Sequence, residues 1–235
     1  MTAAGLPPEP LHELAPGLGL ARGGPGRTLN IYLLGEVVID SGVRWSRQRL
    51  QRQLAGRRIA AHVLTHAHFD HAGSSAWLCR TFDVPLWCGA GDAAAISSGR
   101  VDTHGTPLLN RLQRTLFPVA AHPVTRALYE GDVVGGFEVL EVPGHSPGAL
   151  AFWRERDRVL VCGDVLANLG LRPGRVRLAL APTVLSSDAA QNRRSAVRLA
   201  ELRPRLACFG HGFATTDPGR FAAAIQQLLQ TSPHS

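Results

Sequence analysis

Lysine is absent from the 235-residue chain, so every basic residue other than histidine is an arginine, 25 in all. That absence rules out a catalytic or phosphate-binding lysine. The net charge of +7 would suit a nucleic-acid partner. However, the arginines are spread along the chain, densest at Arg44–Arg58 and Arg154–Arg158. Arg47, Arg49, Arg52, Arg57 and Arg58 fall on an expected helix with few apolar positions, which reads as a solvated face. So one-sided a use of arginine fits a codon bias better than selection for phosphate contact, and no nucleic-acid partner is expected. No run of about 18 apolar residues occurs, so no transmembrane helix and no membrane partner are expected. Residues 1–25 are rich in Pro and Gly, and they lack a basic start followed by an apolar core. No secretory signal is expected there, and the segment reads as a flexible N-terminal arm. The four cysteines have no C-x-x-C spacing, and Cys162 and Cys208 sit in apolar runs as small hydrophobes. A reducing, cytoplasmic setting is the expectation.

The chain is rich in closely spaced metal-ligand types. His66-x-His68-x-Asp70-His71 places four of them in six positions. Imidazole and carboxylate are the usual ligands of zinc and similar ions. Neither a helix nor a strand puts all four on one face, so they are expected to converge from a loop. Three further candidates stand where apolar strands end. His145 lies in the turn Pro143-Gly144-His145-Ser146-Pro147-Gly148, after the alternating stretch from Phe137 to Val142. Asp164 follows Val159-Leu160-Val161-Cys162-Gly163, and His211 stands between Gly210 and Gly212 after Leu206–Phe209. Each of these three has an ordinary reading as a loop or turn residue. The ordered set carries the signal.

With these residues in view, the chain resembles the metallo-β-lactamase superfamily in its glyoxalase II-like hydrolase branch. The likeness runs from about Leu29 to His211. It rests on Asn30–Gly35 with Val37–Gly42, on the loop from Val63 to Gly73, on the His145 turn, on Gly163-Asp164 and on Gly210–Gly212. The resemblance implies an α/β fold, a four-layer αββα sandwich with metals at one edge between the sheets. It implies that His66, His68 and His145 hold one ion, that Asp70, His71 and His211 hold a second, and that Asp164 bridges them. Two divalent ions follow, zinc by default with manganese or iron as the other candidates. True zinc β-lactamases carry Cys or Ser where this chain has Asp164, so antibiotic hydrolysis is not expected. A glyoxalase II has a further C-terminal helical domain for glutathione. Only enough chain for one helix follows His211 here. Signalling-lactone hydrolases place a Tyr where Ala167 stands, with Tyr32 and Tyr129 as the remaining phenols that could substitute.

The expected activity is hydrolysis of a thioester, lactone or other activated ester by a hydroxide shared between the ions. Asp70 orients the nucleophile and carries a proton to the leaving group. Small neighbours at Ala67, Gly73, Gly144, Gly210 and Gly212 leave room for the ions. One alternative is an oxidoreductase, because some relatives bind a single iron through positions matching His66, His145 and Asp164 and oxidise a persulfide. A nuclease is another, less favoured. The chain is expected to hold one domain over 26–235 with a helical insertion in 99–127. There Leu109, Leu112, Leu116 and Phe117 recur on one side of a helix over 110–117, either as a pocket wall or lid or as plain packing. Arg172, Arg175 and Arg177 could bring positive charge to an anionic substrate group. Helices are also expected over 45–55, 72–82, 91–98, 188–202 and 218–230. Strands are expected at 29–40, 59–64, 84–88 and through much of 128–153.

Overall fold

The computed structural model describes residues 9–102, 106–170 and 177–231. Among them the strands form two main sheets and a small hairpin. The first sheet runs in chain order through β1 (His12–Ala15), β2 (Leu18–Arg22), β3 (Asn30–Leu34), β4 (Val37–Ile39), β5 (Ala61–Val63), β6 (Leu86–Gly89) and β7 (Arg126–Leu128). It is antiparallel from β1 to β4 and parallel from β4 to β7. The remaining strands are β8 (Val133–Val134), β9 (Phe137–Glu141), β10 (Leu150–Arg154), β11 (Val159–Val161), β12 (Leu166–Asn168), β13 (Leu178–Leu180) and β14 (Leu206–Cys208). The second sheet has the order β14-β11-β10-β9-β8, with β14 parallel to β11, while β12 and β13 pair separately.

The sequence reads as nearly continuous apolar runs because both faces of each sheet are covered. Along β3, Tyr32 and Leu34 point into the core between the sheets, while Ile31 and Leu33 point to the outer layer. In the facing sheet Leu150 and Phe152 of β10 point inward, and Ala151 and Trp153 point outward. Helices α1 (Arg47–Leu54), α2 (Phe69–Ala72), α3 (Ser75–Phe82) and α4 (Ala93–Ser98) follow strands of the first sheet, and α5 (Pro107–Leu116) precedes β7. Leu50, Leu54, Leu78 and Ile96 from this group close the first outer layer. Helices α6 (Ala189–Glu201) and α7 (Pro218–Thr231) cover the second sheet through Ala196, Leu199, Phe221 and Ile225. The expected four-layer αββα sandwich is what forms. Asp188 caps α6 by accepting from the Gln191 N–H at 2.8 Å. No helix of the described residues is long and apolar enough to cross a membrane.

Several local expectations are corrected. The N-terminal arm is not loose from residue 12 onward. Leu18 and Leu20 alternate into the central core, so β2 pairs with β3 and draws β1 onto the edge. The helix expected over 72–82 starts three residues later, as α3, and a separate short helix, α2, precedes it. Within the expected loop, His68 stays extended at φ −114° and its carbonyl accepts from Ala72 N–H, so Asp70 and His71 lie on a short helical turn. The inserted helix begins earlier than expected, at Pro107, with the Thr106 hydroxyl accepting from Leu109 N–H. The β12–β13 hairpin was not expected.

His62 of β5 is fully buried on the outer face of the sheet. Its Nδ1–H donates to the Val38 carbonyl at 3.0 Å, and its Nε2 accepts from the Ser75 hydroxyl at 2.8 Å. Burial pushes its pKa down to about 4, although the Val38 carbonyl favours the charged form. The fold therefore holds the neutral ring. Its contribution to stability is complete above about pH 6.5 and is lost as the pH falls toward 4. In His62→Asn, which keeps a donor for Val38, unfolding free energies from urea titration should depend less on pH than in the parent. The difference should amount to roughly 3 kcal/mol between pH 7 and pH 4. Identical pH profiles would mean that the charged ring is accommodated.

Candidate metal centre

The C-terminal ends of β5, β9, β11 and β14 deliver the seven candidate ligands. His66 and His68 follow β5, and Asp70 and His71 sit on α2. His145 follows β9, Asp164 follows β11 and His211 follows β14. The two sheets are joined at this edge, because the Leu150 N–H donates to the Thr65 carbonyl at 2.7 Å. The Gly210 N–H donates to the Gly163 carbonyl at 2.9 Å, which ties the Asp164 and His211 turns together. Gly210 is required by space: a Cβ there would lie 2.0 Å from Asp164 Oδ1 and 2.7 Å from His71 Cε1. Gly144 adopts φ 130°, and a Cβ there would lie 2.1 Å from the Asn192 nitrogen at the start of α6. The His145 turn can therefore press against that helix only with glycine at 144.

The structure brings all seven residues together. Donor atoms of His66, His68 and His145 lie within 4.8 Å of one another, as do those of Asp70, His71 and His211. Asp164 stands between the groups. Its Oδ2 is 3.0 Å from His211 Nε2, 3.4 Å from His71 Nε2 and 3.8 Å from His145 Nε2. Asp70 Oδ2 lies 3.3 Å from His211 Nε2. Both Nε2 atoms of His66 and His145, and Asp164 Oδ1, are buried without a hydrogen-bond partner. Native interiors rarely leave such atoms orphaned. Nitrogen and oxygen donors converging at this spacing fit divalent transition ions.

The outward nitrogen of four of these rings is engaged. His71 Nδ1–H donates to Asp40 Oδ2 at 2.8 Å. Asp40 also accepts the Thr65 N–H at 2.8 Å and the Thr65 hydroxyl at 2.9 Å. With its only proton given to Asp40, the Thr65 hydroxyl accepts from His66 Nδ1–H at 3.0 Å. His211 Nδ1–H donates to the Thr28 carbonyl, and His145 Nδ1 faces Ser186 Oγ at 3.4 Å. Each contact leaves Nε2 as the inward donor, the arrangement found behind metal-binding histidines. Asp40 is held at φ 63°, a backbone conformation that few residues other than glycine adopt. Asp92, also buried, accepts the Ala67 N–H at 2.8 Å, the Ser146 hydroxyl at 2.6 Å and the Gly148 N–H at 2.9 Å. It clamps the His68 loop to the His145 turn.

The field in the cluster is two-sided. Burial, with the neighbouring histidines, holds His66 well below the usual histidine range and pushes His68 down to about 3. Burial also lowers His145 despite Asp164 nearby. Burial opposes charge on His71 and His211 too, but the carboxylates outweigh it. Asp164 leads in raising His71, and His211 is pushed up to about 10. For Asp164 and Asp70, burial is likewise outweighed by the adjacent imidazoles, which keep both carboxyls below the usual range. A field that holds protons on two histidines is one that a divalent cation satisfies, releasing those protons as it binds.

Above the cluster opens a cavity of about 660 Å³. His68, Asp70, His145, Asp164 and His211 form its floor, with α5 on one side and the β12–β13 hairpin on another. Of the two expectations for the inserted helix, the wall is the one that forms: Leu109, Leu112, Leu116 and Phe117 all line the cavity. Of the arginines expected to bring positive charge, Arg177 is exposed and outside the cavity, and Arg172 and Arg175 lie outside the described residues. Tyr32 is buried in the central core, its hydroxyl donating to the Phe209 carbonyl at 2.6 Å, and Tyr129 lies outside the cavity. No phenol therefore replaces the one absent at Ala167. Cys162 points its thiol to the Cys208 carbonyl at 3.2 Å rather than to the cluster. Sequence reasoning gave Asp92 no role. A carboxylate within an apolar Ala/Gly stretch was the available signal, because such a group is seldom buried without partners.

Replacing Asp40 by Ala frees the His71 ring and leaves Thr65 without its acceptor. Affinity for zinc, measured by competition with a chromogenic chelator, should fall by about 10- to 100-fold. Unchanged affinity would show that the ring is held by the fold alone.

The sequence profile of the metallo-beta-lactamase superfamily matches residues 24–211. The probable metallo-hydrolase YflN of Bacillus subtilis is 27% identical over 246 residues, covering 89% of this chain and 92% of that one. The hydroxyacylglutathione hydrolase of Bdellovibrio bacteriovorus is 34% identical over 116 residues, 48% of this chain and 36% of that one. Among solved structures, the TTHA1623 protein in a di-iron-bound form is 29% identical. It aligns with a TM-score of 0.64 over 85% of this chain and 94% of that one. The BLEG-1 B3 metallo-beta-lactamase, at 24% identity and a TM-score of 0.66 over 90% of this chain and 99% of that one, shares the fold. With its profile match spanning the first sheet from β3 onward, the second sheet and every one of the converging His and Asp residues, the chain belongs to the metallo-beta-lactamase superfamily, as a metal-dependent hydrolase in the general sense of that family.

Proposed function

We propose that this chain hydrolyses a thioester, lactone or other activated ester at a two-ion centre. The observation that carries this reading is the pair of donor groups, His66/His68/His145 and Asp70/His71/His211, with Asp164 within reach of both. In this reading His66, His68 and His145 would hold one ion and Asp70, His71 and His211 a second, with the Asp164 carboxylate available to both. Bound there, divalent ions supply water of lowered pKa and polarise the carbonyl to be attacked. Zinc suits the nitrogen and oxygen donors, and manganese or iron would also be accepted.

The protein's own groups do the rest. Asp40 and Thr65 fix the rings of His71 and His66, so the donor atoms need little rearrangement. Asp70 is partly exposed on the cavity floor, where its carboxylate takes a proton from the attacking water and passes it to the departing thiolate or alkoxide.

Protein purified without added metal should contain about two equivalents of zinc, manganese or iron by elemental analysis. It should hydrolyse members of a thioester and lactone panel equally well with and without oxygen. His68→Ala should lose one ion and reduce kcat/KM by about a hundredfold or more. One equivalent of iron, with oxygen consumed on a glutathione persulfide and no hydrolysis, would replace this reading with a mononuclear oxygenase.

A further inference from the structure

We propose that the cavity above the cluster is an acyl-chain pocket, so that the substrate presents an uncharged, medium-length apolar acyl group and α5 sets the preference for it. The inference rests on the hydrolase reading for its chemistry and on the cavity walls for its specificity. In the step itself, the oxygen of water bonds to the acyl carbon. The carbon–sulfur or carbon–oxygen bond breaks, and the proton released ends on the departing thiolate or alkoxide.

The walls are apolar on both sides. On α5, Leu109, Leu112 and Leu116 follow one helical face at spacings of three and four, and they are 44%, 52% and 57% exposed. A row of leucines kept in water is unusual unless something apolar covers it. These leucines face the metal floor across the cavity rather than joining the outer core. Opposite them stand Leu169, Leu180, Pro182 and Leu185, from the β12–β13 hairpin and the turn after it. Ala167 and Ala179 keep the space between the walls open. The only other polar side chain among the lining residues is Gln113, whose amide donates to the Val101 carbonyl.

Charge complementarity points the same way. Apart from the cluster on the floor, no charged side chain lines the cavity among the described residues. Arg44 lines an adjoining, smaller cavity of about 230 Å³ that shares Phe69, Leu116 and Phe117 with this one. Among the described residues an anionic tail lying between the walls finds no cationic partner there, whereas an alkyl chain is matched. At about 660 Å³ the cavity falls in the size range of small-molecule sites. The wall is also fixed in place. Phe117, just beyond α5, stacks on Phe69 at 4.8 Å between ring centres and meets Trp45 edge-on at 5.7 Å. Phe69 lies between His68 and Asp70, so the apolar wall and the polar floor are in contact through one ring pair.

The test uses the metal-loaded full chain. First, kcat/KM is measured on p-nitrophenyl acetate, butyrate, hexanoate and octanoate. Second, binding of octanamide, uncharged and not turned over, is measured by calorimetry. Leu112→Asp and Leu116→Asp alter exposed positions and so spare the core. Val133→Asp, exposed on β8 outside the cavity, serves as the control. The wild-type chain and the control should favour octanoate over acetate by about tenfold or more. In the two leucine variants that ratio should collapse, and octanamide should bind about tenfold more weakly. No chain-length preference in the wild type, or octanamide binding unaffected by either leucine variant, would overturn the pocket. Octanamide bound through Leu112 and Leu116 with no ester or thioester hydrolysed would leave the pocket standing and refute the hydrolase reading. Hydrolysis without chain preference would do the reverse.

Discussion

One buried carboxylate governs the geometry of this edge of the sandwich. Asp40 stands at the end of β4 and accepts the Thr65 N–H, the Thr65 hydroxyl and His71 Nδ1–H. An anion at this depth is stable only while those donors surround it. They come from the segment that follows the neighbouring parallel strand, β5, so satisfying Asp40 fixes how that segment leaves the sheet. Through Thr65 it orients His66, and directly it orients His71, one ring from each donor group. The left-handed backbone at Asp40 is part of the cost of this placement.

Asp92 performs a parallel task across the gap between the sheets. By accepting from Ala67, Ser146 and Gly148, it keeps the loop of the first sheet and the His145 turn of the second at a fixed separation. The third junction is made by Asn30, whose amide donates to the Phe209 and Gly212 carbonyls at 2.8 Å each and so seats the His211 turn on β3. The donor cluster is therefore assembled by short polar contacts between segments far apart in the chain. The apolar cores supply the rigid sheets from which those segments emerge.

This division also explains what could be read from the sequence. Most strands of the two sheets, the helices α6 and α7, and the His and Asp residues at strand ends were legible because periodicity and ligand chemistry are local. The edge hairpin β1–β2 was not, since its Pro and Gly content resembles a loose segment and only pairing with β3 reveals Leu18 and Leu20 as core residues. Asp70 and His71 were expected in a loop, yet the backbone closes a single helical turn there once His68 is held extended. The roles of Asp92 and Ser186 depend on contacts spanning dozens of residues, which no short window contains. The lining of the cavity was half legible. The leucine periodicity of α5 was visible, whereas the apolar turn that faces it was masked by the arginines of the same stretch.

The stack of Phe117 on Phe69 joins two stretches of chain with different freedom to change. The ligand-bearing turns are crowded to the point that Gly144 and Gly210 admit no side chain, so nearly any substitution there disturbs the cluster. Helix α5 stands outside the sandwich, with its leucines half-exposed and lining the cavity. Its residues can be exchanged without reopening a core, while the ring pair keeps the helix seated over the same floor. With α5 as the proposed pocket wall, such an arrangement would let a lineage try new substrates by rewriting one exposed helix and leave the chemistry beneath it intact.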